Sequence, residues 1–217
     1  MKKGGKEIVS FVEHEVQDYE RKRYRGLDQR LVDRREKEIL RKILDKISGD
    51  SARVLDLPSG YGRFSGLFLE KGIPLVSSDL SFHMVKRAVE RSPEETFHAG
   101  VVSDAKKVLP FQSRAFTLLV SMRFFHHVHR KKERQFILQQ FSDVSSRWVV
   151  LSFYKKNLFH TVQRRIRRKV KKSQARISMI ARSDFQEEAE KAGLKTVQIF
   201  PLFRAVHAHH IALLEKI

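Results

Sequence analysis

The sequence predicts an α/β fold: a doubly wound, seven-stranded sheet, mostly parallel, ending in a C-terminal antiparallel hairpin and preceded by N-terminal helices. Three observations carry this. The stretch Val54-Leu55-Asp56-Leu57-Pro58-Ser59-Gly60-Tyr61-Gly62-Arg63-Phe64 is an apolar strand ending in a carboxylate, then a glycine turn, then the start of a helix. A second apolar run closes on Asp79, 23 residues after Asp56. Beyond it, short apolar runs alternate with helical patterns, the signature of parallel strands joined by helices.

Residues 7 to 48 read as helical, with Ile8, Phe11, Val12, Val16 and Tyr19, then Leu40, Ile43, Leu44 and Ile47, at helical spacing. A charged stretch around Arg21 to Gly26 separates the two groups. We read 1–50 as a helical cap able to cover a site, and 51–217 as the main domain. Strand one is Arg53 to Leu57, followed by a helix from Arg63 to Lys71 that Gly72 stops. Pro74 to Asp79 is strand two, and Ser81 is placed to cap a helix from His83 to Arg91. Thr96 to Val101 is a weak third strand, Phe116 to Met122 a strongly apolar fourth, Arg130 to Phe141 a helix, and Ser146 to Tyr154 a fifth strand. Ser183-Asp184-Phe185-Gln186 has the form of a capping box opening a helix that Gly193 ends. Thr196 to Phe203 and Ala205 to Leu214 then read as two strands with a very short turn, which makes them antiparallel.

Composition bounds the partners. The chain has 217 residues, 44 Lys and Arg against 25 Asp and Glu, and a net charge of +19. So basic a balance implies an anionic partner: nucleic acid, an acidic membrane surface or a phosphorylated substrate. Cysteine is absent, which excludes disulfides, thiolate-bound zinc and a cysteine nucleophile, and with the last the usual route to C5 methylation of pyrimidines. The N-terminus lacks the apolar core of a signal peptide, and no apolar run approaches the ~18 residues that span a bilayer. A cytoplasmic protein, with peripheral membrane contact open to it, is expected.

Gly60 and Gly62 allow a tight turn that approaches a ligand without a Cβ in the way, at the N-terminus of the next helix. A bare Gly-x-Gly is often only a turn, and Gly60-x-Gly62-x-x-x-Gly66 also fits some dinucleotide loops. Asp56 separates these readings, because a carboxylate there repels a pyrophosphate but can meet an amino group. Asp79 is placed to accept two ribose hydroxyls. Ser103-Asp104-Ala105, with Leu109-Pro110-Phe111 after it, follows strand three where an adenine edge would lie.

In these residues the sequence resembles the class I S-adenosylmethionine (SAM)-dependent methyltransferases, across roughly 51–217. The resemblance implies a Rossmann-like fold, SAM as cofactor and a cofactor site comprising Asp56, Ser59, Gly60, Gly62, Asp79, Leu80, Met84, Asp104, Ala105 and Ser121. Pro58 stands where the family has its first glycine. Proline fixes φ and removes an N–H, so contact there is expected from backbone around Ser59.

The exit of strand four, Ser121-Met122-Arg123-Phe124-Phe125-His126-His127-Val128-His129, faces the methyl group in that family. The Asn/Asp-Pro-Pro-aromatic motif of base N-methylating members is missing, and the segment is similar instead to members acting on small molecules, lipids or sugars. His126 and His127 are the candidate bases, with Tyr154 and Tyr24 as further acceptor contacts; the alternative is that the histidines cap a helix or pack beside the cofactor. His207, His209 and His210 suggest a metal, but on a strand His210 points away from the other two, so no metal site is expected.

Residues 155 to 182 hold eleven Lys or Arg and no acid, leaving 33 basic against 25 acidic residues, a net +8, elsewhere. Phe159, Val162, Ile166 and Val170 form an apolar stripe among Arg164, Arg165, Arg168, Lys171 and Lys172, a basic amphipathic helix. It either docks on the domain with its charges in water or meets an anionic membrane, RNA or the substrate. In the family, insertions at this point build the substrate cover, and the segment looks similar to methyltransferases of bacterial cell-surface glycolipid synthesis. The resemblance therefore implies O-methylation of an acidic or phosphorylated small molecule or a glycolipid acceptor. RNA methylation, a non-catalytic module binding anionic membrane or RNA, and a nicotinamide-dependent oxidoreductase are the alternatives, the last opposed by Asp56 and the hairpin.

Overall fold

The computed structural model describes residues 16, 18, 26–47, 52–90, 97–156, 177–203 and 208–217. Tyr24, His207 and most of the basic stretch expected to form an amphipathic helix lie outside them. Helix α1 spans Leu27–Ile47, then come β1 Val54–Asp56, α2 Ser65–Leu69, β2 Leu75–Asp79, α3 Phe82–Val89, β3 His98–Val102 and β4 Phe116–Ser121. A short 3-10 turn, Phe125–His127, leads to α4 Lys131–Val144, β5 Ser145–Tyr154, α5 Arg182–Lys191, β6 Leu194–Pro201 and β7 His209–Lys216.

The seven strands form one sheet in the order β3-β2-β1-β4-β5-β7-β6. All neighbours are parallel except those of β7, which is antiparallel to both β5 and β6. This is the expected sheet, including its terminal hairpin. Successive residues of a strand face opposite sides, so Val54 and Leu55 enter different cores. On one side Ile39, Leu40, Ile43 and Leu44 of α1 and Leu67 and Phe68 of α2 pack with Val54, Leu118 and Val150. On the other, Ile137, Leu138 and Phe141 of α4 and Phe185 and Ala189 of α5 pack with Leu55, Leu119, Val149 and Leu151. Each fully buried Leu or Phe side chain contributes about 1.5–3 kcal/mol through loss of apolar surface from water, which is what holds α1 on the sheet.

Several local expectations need correction. Helix α2 is five residues long, not nine, because Arg63 and Phe64 are consumed in the turn that precedes Ser65, and Glu70 and Lys71 fall in the turn that follows Leu69. Ser81 is the N-terminal flanking residue of α3 but makes no side-chain cap; its own N–H instead donates to Asp79 Oδ1 at 3.0 Å, so the strand-ending carboxylate does the capping. The box at Ser183 does not form. Ile180 pairs with Lys155 in a parallel bridge, Ala181 leaves it in an extended conformation, and the helix starts at Arg182 with Ser183 already inside. In the last hairpin β6 ends at Pro201 and β7 starts at His209, and the turn expected about residue 204 lies outside the described residues. Beyond Pro201 one further bond, from Leu202 N–H to His209 C=O at 3.0 Å, continues the pairing.

Candidate active site

Strand order reverses between β1 and β4, and the crevice beyond the carboxyl ends of the strands at such a point is where open α/β sheets bind ligands. Asp56, Asp79, Ser121 and Tyr154 end β1, β2, β4 and β5, so the topology delivers all four to one edge.

The loop after β1 is built around two left-handed glycines, Gly60 at φ 55° and Gly62 at φ 76°. Their roles differ. A Cβ on Gly62 would lie 2.8 Å from Ala88 Cα, so this glycine lets the loop seat against α3. A Cβ on Gly60 would meet no protein atom within 4 Å, so this glycine faces open space, as a ligand cradle requires. Gly60 N–H donates to Asp79 Oδ2 at 2.9 Å, tying the loop to the end of β2. Ser59, expected to supply backbone contact in place of Pro58, is buried with its N–H given to Ser78 C=O at 2.8 Å and its hydroxyl to Gly60 C=O at 3.3 Å. It shapes the loop from within.

Asp56 is fully buried, and its Oδ2 makes no hydrogen bond. Burial pushes its pKa up to about 8, opposed by the nearby Arg63 guanidinium and reinforced by the Asp79 carboxylate. Ser121 Oγ, at the end of β4, is likewise buried and without a hydrogen-bond partner. A native interior seldom leaves polar atoms so; an acceptor that awaits a donor at the end of β1 suits the ammonium of a methionine moiety. Asp79 is half-buried, and burial raises its pKa against the lowering influence of N–H donors from Ser81, Gly60 and Leu80. These residues fit the amino-acid and ribose portions of SAM.

Leu80 is exposed, whereas Met84 is buried in a small cluster with Tyr61 and Val16. Asp104 Oδ1 accepts the N–H of Lys106 at 2.9 Å, which fixes the turn after β3, and Ala105 is buried in the core beneath it. Ser103 Oγ lies 2.6 Å from Ser78 Oγ, linking that turn to β2.

On the acceptor side, the two histidines part company. His127 is exposed, while His126 is buried with its ring centroid 4.9 Å from that of Tyr154. The His126 carbonyl accepts the N–H of Ser178 at 2.8 Å, and Ile180 N–H donates to Tyr154 C=O at 2.9 Å. The chain returning from the basic insertion is thereby stitched over both candidates. Tyr154 stacks on the other side against His209 at 4.8 Å and 14°. Among the described residues no cluster of His, Asp and Glu could hold a metal ion. None of their helices is long and apolar enough to cross a membrane.

Sequence reasoning missed one group. Glu36 of α1 is fully buried; its Oε2 accepts Arg63 Nη1 at 2.7 Å, and its Oε1 accepts Arg123 Nε at 2.8 Å. Arg63 Nη1 also donates to Asp33 Oδ1 at 2.6 Å, and His209 Nδ1 lies 3.4 Å from Glu36 Oε1. The signal was there: Glu36 falls four residues from both Val32 and Leu40, on the apolar stripe, where a carboxylate needs a buried partner.

Comparison with known proteins agrees with the geometry. Residues 55–147 match the family model described as a methyltransferase domain. The structure is similar to magnesium protoporphyrin IX methyltransferase from Synechocystis PCC 6803, solved with bound S-adenosylhomocysteine (SAH), with a TM-score of 0.76 and 16% identity over 93% of this chain and 94% of that one. It is similar to a SAM-dependent methyltransferase from Methanosarcina mazei, with a TM-score of 0.67 and 16% identity over 81% and 97%. A TehB-like SAM-dependent methyltransferase from Corynebacterium glutamicum gives a TM-score of 0.59 and 20% identity over 82% and 86%. No curated protein matches the sequence. Residues 55–147 thus match a methyltransferase domain, and sheet order, glycine loop and strand-end carboxylates together give the chain the fold of the class I SAM-dependent methyltransferases.

Proposed function

We propose that the chain methylates a hydroxyl oxygen of an acidic or phosphorylated acceptor, a small molecule or the head of a glycolipid. The observation that carries this is the placement of the buried His126 ring against Tyr154 at the joint exit of β4 and β5, beside Arg123. SAM supplies an activated methyl group on a sulfonium, so the protein's tasks are to align the acceptor and to receive its proton. Asp56 holds the cofactor's ammonium, Asp79 its ribose hydroxyls, and the turn at Asp104 and Ala105 borders the adenine. His126 takes the proton from the acceptor hydroxyl as the new C–O bond forms, since imidazole has a pKa suited to transfer near neutrality. Tyr154 fixes the face presented to the acceptor.

The charge of +19 supports an anionic acceptor and also favours a second reading, RNA. The test offers SAM labelled in its methyl group together with separate pools of phosphorylated sugars, acidic small molecules, glycolipids and RNA. Base-stable label in the first three pools, lowered about a hundredfold or more in His126→Ala, is expected; a loss of about a hundredfold is at the low end for a general base. Label entering RNA alone would replace the favoured acceptor class.

A further inference from the structure

We propose that Glu36 is a positioning residue that couples the cofactor loop to the acceptor rim, which makes α1 part of the transfer site. This rests on the reading above, that SAM lies beside Asp56 and Asp79 and the acceptor beside His126 and Tyr154. One carboxylate, buried to 0% exposure, receives a guanidinium from each half. Arg63 directly follows the glycine turn that faces the cofactor, and Arg123 stands two residues after Ser121 and three before His126.

Arg123 is the informative member. It is one of two non-glycine residues with positive φ among those described, at 57°. Such a conformation is strained for a residue with a Cβ and persists only where the surroundings over-determine it. Here two contacts do so: its N–H donates to Ser152 Oγ of β5 at 2.6 Å, and its Nε donates to Glu36. Without the carboxylate, Arg123 loses the side-chain member of this pair of contacts. The turn that aims Ser121 at the cofactor and His126 at the acceptor is then free to relax toward ordinary φ.

The second arm runs through Arg63. Its bond to Glu36 fixes a guanidinium near Asp56, where it favours the ionised carboxylate that an ammonium needs. Glu36 also lies next to His209, whose ring stacks on Tyr154. A single side chain from a helix outside the glycine motif thus touches a residue of the cofactor loop, the rim of β4 and the support of the acceptor wall. A buried charge cluster of this kind is specific in geometry even where its net contribution to stability is small.

The experiment is a double-mutant cycle read by calorimetric SAH binding to the full chain, using Glu36→Gln, Arg123→Met and the pair. Arg123→Met alone should weaken SAH at least about fivefold, although Arg123 is not among the residues assigned to the cofactor, and Glu36→Gln about tenfold, the cost of one charged hydrogen bond. The pair should be no weaker than Glu36→Gln alone, and Arg123→Lys should recover part of the loss. Purely additive effects, or SAH affinities within twofold of wild type in folded single variants, would overturn the proposal. If Glu36→Gln does not fold, Arg123→Met against Arg123→Lys decides it in the same way. Wild-type protein that fails to bind SAH would instead overturn the underlying assignment of the cofactor site.

Discussion

At the scale of single residues, the site is made of side chains with two duties. Asp79 ends β2, caps α3 through Ser81 N–H and anchors the glycine loop through Gly60 N–H. That leaves its oxygens in place for the ribose hydroxyls of the proposed cofactor and offsets the partial desolvation of a half-buried carboxylate. Asp79→Asn keeps the shape but removes the charge and puts a donor amide where two donors already point. SAH binding should weaken by about 2–4 kcal/mol, the value of one or two charged hydrogen bonds, in a calorimetric titration. A change under about 0.5 kcal/mol would remove Asp79 from the cofactor site. The residues legible in the sequence were those whose type and strand-end position already imply a ligand: Asp56, Gly60, Gly62 and Asp79. Glu36 and Arg123 were not singled out, because their partners lie 87 residues apart and only folding shows that they meet.

At the scale of elements, β1, β2, β4 and β5 were legible to within a residue because a strand buried on both faces is a short apolar run, whereas the more exposed edge strands β3 and β6 were displaced by up to two residues. The helix starts were less so, since capping is decided by what the preceding chain is doing: Ile180 is held in a bridge, and α5 begins where that bridge releases it. Helices α4 and α5 also carry a feature that sequence spacing does not reveal. Arg134 Nε and Nη2 bind Glu188 Oε2 and Oε1 at 2.8 and 2.7 Å, and Arg134 Nη1 donates to His129 C=O at 3.0 Å. Glu188 is 1% exposed, so removing its partner strands a buried charge. Arg134→Met should therefore destabilise the protein by about 3–5 kcal/mol in urea unfolding, whereas Arg134→Met with Glu188→Leu should recover most of the loss. Because His129 follows His127 by two residues, the same variant should loosen the acceptor rim. A single-variant loss below about 1 kcal/mol would mean the pair is solvated rather than buried.

At the scale of the whole molecule, the proposed cofactor site makes fold stability and cofactor binding draw on the same buried acid, which gives them opposite dependence on pH. The Asp56 carboxyl has a pKa of about 8 in the folded chain against 3.8 when free. Between those values the folded state holds a proton that the unfolded state has released. The stability contributed by this neutral form is complete below the free value and is lost as pH rises toward 8, by up to about 1.4 kcal/mol per pH unit. Burial raises Asp79 too, so it adds with the same sign. On the reading proposed above, the ammonium of SAH meets the ionised form of Asp56, so binding below pH 8 must expel its proton. Affinity should then rise with pH, by up to tenfold per unit, and level off near 8. Thermal unfolding at pH 6, 7 and 8 tests both halves at once. The free protein should melt lower at each step, while the gap between free and SAH-saturated protein widens; at 100 times the Kd that gap is about 2.7 kcal/mol, or roughly 5–11 °C for a chain of this length. Asp56→Asn should flatten the pH dependence of the free protein and bind SAH weakly throughout. A gap that stays constant from pH 6 to 8, with no proton released when binding is measured in buffers of different ionisation enthalpy, would show that Asp56 is not the acceptor of the cofactor's ammonium.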